Sequence, residues 1–439
     1  MGTGLITLLM FGTILLLLVT GLPIAFCLGF TGLAFTYFLW GAPGILQVAS
    51  TAFAPTLNTI LIAIPLFIFM AKVLESSGIA EKLYDTFYKW SGGLRGGLAV
   101  GTVIISAIFA AMSGITGPAV VSMGLIAIPS MIKKGYNPQL AVGSVAAAGA
   151  LGILIPPSVL MVIYSSCSDV SVGKLFAAGI LPGLLLAGLY GAYITIRCYL
   201  QPNLGPGLAP NERATWKEKF RALKDLSLPL MLVIFVLGSI FGGFATPTEA
   251  SAVGAIGSLI CSWFLKKLSW ASFKNSSYEA LKLSTMVMWM IIGATCFANV
   301  YASIGAPALL SDILNQSGLG RWEILFLMQL SFFILGMIMD PTGIILITTP
   351  VYLPIIIALN FDPIWFGILF IINMEMAYIT PPFGYNLFYM KSIVPSDVLS
   401  MGGIYMSVIP FILIQGICLI LIVIFPQITL WLPSIMAFK

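Results

Sequence analysis

Apolar runs recur from one end of the chain to the other, and they commit most of it to a bilayer. Residues 4–19, 98–111, 175–196, 228–241 and 404–425 are each long enough to cross a membrane or enter it deeply. Charged residues make up 8% of the 439, against about 25% in soluble domains, so a globule could not cover its own surface. Mean hydropathy is +1.07. The N-terminus carries no basic stretch and no A-x-A site, so residues 5–19 read as a first membrane helix and not as a cleaved signal.

The basic residues fix an orientation. Letting each long run cross once gives helices over roughly 5–20, 23–40, 60–74, 138–168 and 175–196, then 228–243, 247–265, 283–300, 362–390 and 403–425. Starting outside, 17 of the 20 Lys and Arg fall in inside loops and three (Lys174, Arg321 and Lys439) fall outside. That is a positive-inside pattern with both termini periplasmic. It accounts for the net charge of +5 without nucleic acid, and makes the basic loop 211–225 cytoplasmic. There is no histidine, the six cysteines stand singly, and no phosphate-binding loop motif occurs. Zinc and haem sites, most general-base chemistry and direct ATP use are thereby disfavoured, so no enzyme activity is expected.

Two halves carry the same punctuation. Asn137-Pro138 opens a segment that breaks at Pro156-Pro157, and Asp362-Pro363 opens one that breaks at Pro381-Pro382. Upstream, Ser113-Gly114-Ile115-Thr116-Gly117 corresponds to Met339-Asp340-Pro341-Thr342-Gly343, so Asp340 stands where the first half has Gly114. Each half crosses an odd number of times, and the repeats are therefore inverted. The expected fold is an all-α polytopic membrane protein with about ten crossings and two re-entrant hairpins. The first repeat covers 1–200, with scaffold helices in 1–75, a hairpin over 97–132 and a broken helix over 138–168. A cytoplasmic linker covers 201–227. The second repeat covers 228–439, with scaffold helices over 228–300, a hairpin over 323–358 and a broken helix over 362–390.

Helix-breaking backbone at membrane depth is tolerated where it is buried or lines a cavity. Proline pairs free carbonyls, and hydroxyl and carboxylate oxygens beside them are hard ligands of the kind that hold Na⁺. The candidate sodium ligands are Ser113, Gly114, Thr116, Gly117, Gly152, Pro156, Gly336, Asp340, Thr342, Ala377 and Thr380. The half-helix N-termini beyond each tip suit a carboxylate. Ser113, Thr116, Ser158, Thr342, Gly343 and Asn386 are the candidate substrate contacts.

The segment Glu375-Met376-Ala377-Tyr378-Ile379-Thr380-Pro381-Pro382-Phe383-Gly384-Tyr385-Asn386-Leu387-Phe388 resembles the E-x4-T-P-P-x-G-x-N-L-F signature of the large membrane subunit of TRAP (tripartite ATP-independent periplasmic) transporters. Ala111-Met112-Ser113-Gly114, Gly152-Ile153-Leu154-Ile155-Pro156-Pro157-Ser158 and Thr246-Pro247-Thr248-Glu249-Ala250 support the match, which spans nearly the whole chain. The resemblance implies a sodium-driven, elevator-type importer in the bacterial inner membrane. Its implied partners are a small four-helix membrane subunit and a periplasmic binding protein delivering an organic acid, such as a sialic acid or a C4-dicarboxylate. A stand-alone sodium/anion symporter with related hairpins is the alternative.

Single residues carry further expectations. Thr246-Pro247-Thr248-Glu249 reads as a capping box, and Asp169 and Asp397 as helix starts. Glu375 is open between a place beside the ion site and a buried hydrogen bond. The amphipathic stretches 81–90 and 308–313 read as surface arms joining scaffold and hairpins.

Overall fold

The computed structural model describes residues 2–209, 213–382 and 384–436; Phe383 of the signature segment, part of the linker and Lys439 lie outside them. The described residues form helices and no strand. The first series runs α1 (Thr3–Val19), α2 (Ile24–Phe53), α3 (Ala63–Ser76), α4 (Ile79–Ser91), α5 (Gly97–Ser113), α6 (Thr116–Lys133), α7 (Pro138–Ala150), α8 (Val159–Ser168) and α9 (Val172–Leu200). The second runs α10 (Trp216–Phe241), α11 (Pro247–Phe264), α12 (Trp270–Ser303), α13 (Ala306–Gln316), α14 (Arg321–Gly336), α15 (Pro341–Ala358), α16 (Pro363–Ile379), α17 (Tyr385–Ile393) and α18 (Met401–Ile424), and α19 (Gln427–Ile435) follows.

The helices pair reciprocally between the two series. Helix α2 packs on α12 and α3 on α11; α1 meets α13 and α4 meets α10; α6 lies on α17 and α15 on α8; α7 touches α18 and α9 touches α16. Exchanging each helix for the one nine places later returns the same list, as a pseudo-twofold requires. The innermost members are α7, buried at every residue from Leu140 to Ala150, and its counterpart α16, buried from Trp365 to Ala377. Both are mostly apolar and buried on every side, the pattern of a helix enclosed by others, with Asn373 and Glu375 the polar exceptions on α16. Large apolar side chains such as Leu8, Phe38, Phe235 and Leu413 remain exposed on the outer helices, where lipid would cover them.

Among the described residues, six helices are long and apolar enough to cross a bilayer alone, with the bent α10 as a seventh. One of the six is α15, expected only as a hairpin arm. It contains Pro350 and Pro354 and folds back against α14. Several expectations are corrected. Helix α2 breaks at Gly41 (φ 67°), where the expected span 23–40 ends, and a further helical stretch that was not expected resumes beyond it and runs through Pro43 to Phe53. Part of the linker is helical, since a Thr215–Glu218 capping box starts α10 at Trp216; there the Lys219 carbonyl accepts from the Trp90 indole at 3.1 Å. Asp169 and Asp397 start no helix. Asp169 closes α8 with φ 54°, and Ser171 and Ser400 occupy the N-caps of α9 and α18. Thr246 and Glu249 form the expected capping box, with Glu249 Oε2 accepting from Thr246 N at 2.8 Å. The stretches 81–90 and 308–313 fall within the helices α4 and α13.

Close backbone approach holds α2 against α12, the small-residue packing that joins helices where no water drives them together. A Cβ on Gly293 would lie 2.4 Å from the Ala25 carbonyl oxygen, whereas one on Gly12 meets nothing within 4 Å. Gly293→Ala is therefore expected to lower stability by about 1–3 kcal/mol, and Gly12→Ala to be neutral or to raise it by up to about 1 kcal/mol. Thermal melting of both variants in detergent checks this; equal shifts would remove the close approach as a determinant.

Candidate transport site

Two tips and two breaks meet in the middle of the bundle. At the first tip α5 ends at Ser113, Gly114 turns with φ 63°, and extended Ile115 leads into α6. The Ser113 hydroxyl donates to the Ile115 carbonyl at 3.1 Å. The tip is lodged in the break between α7 and α8. Gly114 O accepts from Val159 N at 3.3 Å, and a Cβ on Gly114 would lie 2.6 Å from the Pro157 carbonyl oxygen. Gly152 faces the Ile115 carbonyl, where a Cβ would come within 3.0 Å. Pro156-Pro157 is cis, as is its counterpart Pro381-Pro382.

At the second tip, Asp340 replaces the glycine turn with a side-chain cap: its Oδ1 accepts from Thr342 N at 2.8 Å and starts α15. Gly336, at the end of α14, lies against Ala377, whose Cβ would be 2.3 Å from an added Cβ. In the adjoining break, the Thr380 hydroxyl donates to Met376 O at 2.6 Å and Thr380 O accepts from Gly384 N at 3.0 Å.

Between the tips is a cavity of about 240 Å³. It brings together Gly114, Thr116, Gly117, Asp340 and Thr342 of the expected site residues. One wall is apolar and comes from Ile68 of α3 and Leu283, Met286 and Val287 of α12. No Lys or Arg is among its lining residues, and Asp340 is the one acidic group there. A second cavity of about 350 Å³ continues along the same helices, between Cys167 of α8, Thr295 of α12 and Pro350 of α15.

The remaining expected residues stand behind this lining. Ser113 is 2% exposed at the first tip, Gly336 ends α14 beside the second, and Gly152, Pro156, Ala377 and Thr380 lie at the breaks. Ser158 is spent locally, donating to Ile153 O at 2.6 Å and capping α8. Gly343 faces outward from the site, where a Cβ would strike Ile24. Asn386 is fully buried and donates to Ala146 O at 3.0 Å, tying α17 to α7. Glu375 is fully buried with neither oxygen hydrogen-bonded among the described residues, and it does not line the cavity. Its neighbours are Tyr190 of α9 and Cys418 of α18.

Sequence reasoning missed Tyr378, Tyr385 and Tyr389, which all line the cavity. The signal was present: Tyr385 and Tyr389 are four apart on the helix after the proline pair, and Tyr378 is two residues before Thr380.

The sequence matches the family model described as the tripartite ATP-independent periplasmic transporter, DctM component, over residues 11–428. It is 34% identical to the C4-dicarboxylate TRAP transporter large permease protein DctM of Vibrio cholerae, covering 98% of this chain and 97% of that one. It is 31% identical to the sialic acid TRAP transporter large permease protein SiaM of the same organism, covering 95% and 96%. The ectoine TRAP transporter large permease protein TeaC of Halomonas elongata is 29% identical, with 98% and 99% covered. Among solved structures, the YdaH transporter of Alcanivorax borkumensis superposes with a TM-score of 0.63 at 14% identity, covering 90% of this chain and 89% of that one, a likeness of fold alone.

The place of Asn386 gives a separable expectation. Asn386→Ala should cost about 1–3 kcal/mol of stability while leaving the half-saturation of sodium and substrate unchanged. Melting curves and uptake titrations on one preparation check it. Shifted half-saturation with an unchanged melting temperature would return Asn386 to the site.

Proposed function

The chain belongs to the DctM component family of tripartite ATP-independent periplasmic transporters, and we propose that it is the sodium-coupled, substrate-conducting subunit of an importer for a small organic acid. Members of this family work as secondary transporters in the bacterial inner membrane, beside a small membrane subunit and a periplasmic binding protein. The observation that carries the reading is the convergence of both hairpin tips on one cavity lined by oxygen donors, with no basic residue among the lining.

The sodium ions would be held by oxygens at the tips and breaks. Thr116, Asp340 and Thr342 offer side-chain oxygens, with Ser113 just behind them; Gly114, Gly152, Pro156, Gly336, Ala377 and Thr380 offer carbonyls where helical pairing is interrupted, and Gly117 brings the first turn of α6 beside them. The acid would be taken by neutral donors and by N–H groups at the start of α6, since those of Thr342 and Gly343 at the start of α15 already serve the Asp340 carboxylate. Each sodium moving down 100 mV supplies about 2.3 kcal/mol, so a few ions suffice for strong accumulation.

The mechanism we favour moves the hairpins and broken helices as a unit along α12. The smaller cavity meets α12 at Leu283–Val287 and the larger one meets it at Ile291–Ala298. The two positions are separated by about 13 Å at 1.5 Å per residue. With Lys274 and Lys282 on the inside, the smaller cavity lies toward the cytoplasm and the larger toward the periplasm.

Ser113→Ala and Thr342→Ala are expected to raise the sodium concentration for half-maximal uptake about tenfold each, the equivalent of one lost charge-assisted contact. Unchanged sodium titrations in both would remove these residues from the ion sites. For the movement, cysteines placed at Val287 and at Ile163 of α8, which also lines the smaller cavity, should cross-link in one state, and cysteines at Thr295 and Ile163 in the other. Sodium and substrate should shift the balance between the two pairs. A balance indifferent to both would sink the sliding unit.

A further inference from the structure

Three phenols in the cavity are unused by the sodium chemistry above. Tyr378 stands near the end of α16 and Tyr385 and Tyr389 on the first turns of α17, so all three reach the same space across the Pro381-Pro382 break. The rings of Tyr378 and Tyr385 meet edge to face, their centroids 5.8 Å apart. The Tyr389 hydroxyl lies over Gly117, where a Cβ would be 3.1 Å away, so the phenol sits close against the backbone of the first tip. The Tyr378 hydroxyl meets Thr116, and the Asp340 carboxylate faces all three phenols.

We infer that Tyr378, Tyr385 and Tyr389 are the specificity-determining residues, and that they select a polyhydroxylated monocarboxylate over a short unbranched dicarboxylate. The inference rests on the reading of this cavity as the transport site. A phenol O–H is a neutral donor, able to receive one carboxylate without adding charge. Its ring offers an apolar face to the C–H side of a polyol or sugar-acid skeleton. Asp340, Thr116 and Thr342 are acceptors for the hydroxyls such a substrate would present. A second carboxylate would instead compete with Asp340 for the bound sodium, with no Lys or Arg in the lining to offset the extra negative charge, and juxtaposed like charges exclude wrong partners. At about 240 Å³ the cavity is close to the lower end of small-ligand sites, enough for a six-carbon acid.

The test uses the full chain reconstituted in lipid nanodiscs, with D-gluconate and succinate as probes, titrated calorimetrically at saturating sodium. Gluconate should bind about tenfold more tightly than succinate, and Tyr385→Phe and Tyr389→Phe should each narrow that preference, weakening gluconate about tenfold and succinate by less. Both variants keep the ring, and an unchanged sodium titration in the absence of acid confirms an intact site. Succinate binding as tightly as gluconate, neither acid binding, or Phe variants equal to the unaltered chain would overturn the inference. If sodium fails to bind while the phenols still discriminate between the two acids, the sodium reading falls and this one stands.

Discussion

Interrupted backbone inside a bilayer has no water to satisfy it, and in this chain each interruption is closed by protein. The Gly114 carbonyl accepts from Val159 N across the first break, and Ser158 returns a hydroxyl to Ile153 O. In the second, Thr380 takes up Gly384 N and donates to Met376 O, while Gly336 is pressed on Ala377. A tip and a break thus complete each other within each half. That requirement places α7 and α16 at the centre, because the breaks at their C-terminal ends must be enclosed on every side.

The pseudo-twofold turns two such units into one site. Each hairpin packs its first helix on the broken helix of its own half, α5 on α7 and α14 on α16. Its second helix lies on the piece beyond the break in the opposite half, α6 on α17 and α15 on α8. The cavity is consequently shared, each tip being lodged in the break of its own half while its second helix lies on the piece beyond the other break. The symmetry fails where chemistry enters. Gly114 turns by its own conformational freedom, whereas Asp340 turns by capping α15 and brings a carboxylate to the cavity. Three residues past the second proline, Leu160 stands in the first half where Tyr385 stands in the second.

Legibility in the sequence follows the range of the interaction. Proline pairs, glycine turns and capping boxes act over a few residues, so the tips at 113–117 and 339–343, the breaks and the Thr246–Glu249 cap could be read without a structure. Features decided by distant packing could not. Asn386 looks like a site residue beside a break, yet its amide is drawn to Ala146, 240 positions away. Gly343 mirrors Gly117 in sequence but faces Ile24 because α2 crosses behind it. Asp169 resembles a helix start, but the chain turns there with a left-handed residue and Ser171 takes the cap. Glu375 carries the charge that draws attention, and α16 turns it toward Tyr190 and Cys418, away from the cavity. The tyrosines were passed over for the converse reason: in an apolar sequence they read as packing until the break folds them into one wall.

A lining without Lys or Arg suits the task proposed for it. A fixed guanidinium would hold an acid with similar strength on either side of the membrane, and tight uniform binding opposes release. Neutral hydroxyls and backbone N–H groups bind a carboxylate weakly alone, so the balance depends on cations bound beside it. Under the proposed coupling, sodium supplies that positive charge where it is abundant and removes it on leaving, which makes the affinity for the acid conditional on the ion. Asp340 strengthens the dependence. With its carboxylate in the cavity and no basic neighbour in the lining, an incoming anion meets repulsion unless a cation has arrived first, and binding order follows from charge alone.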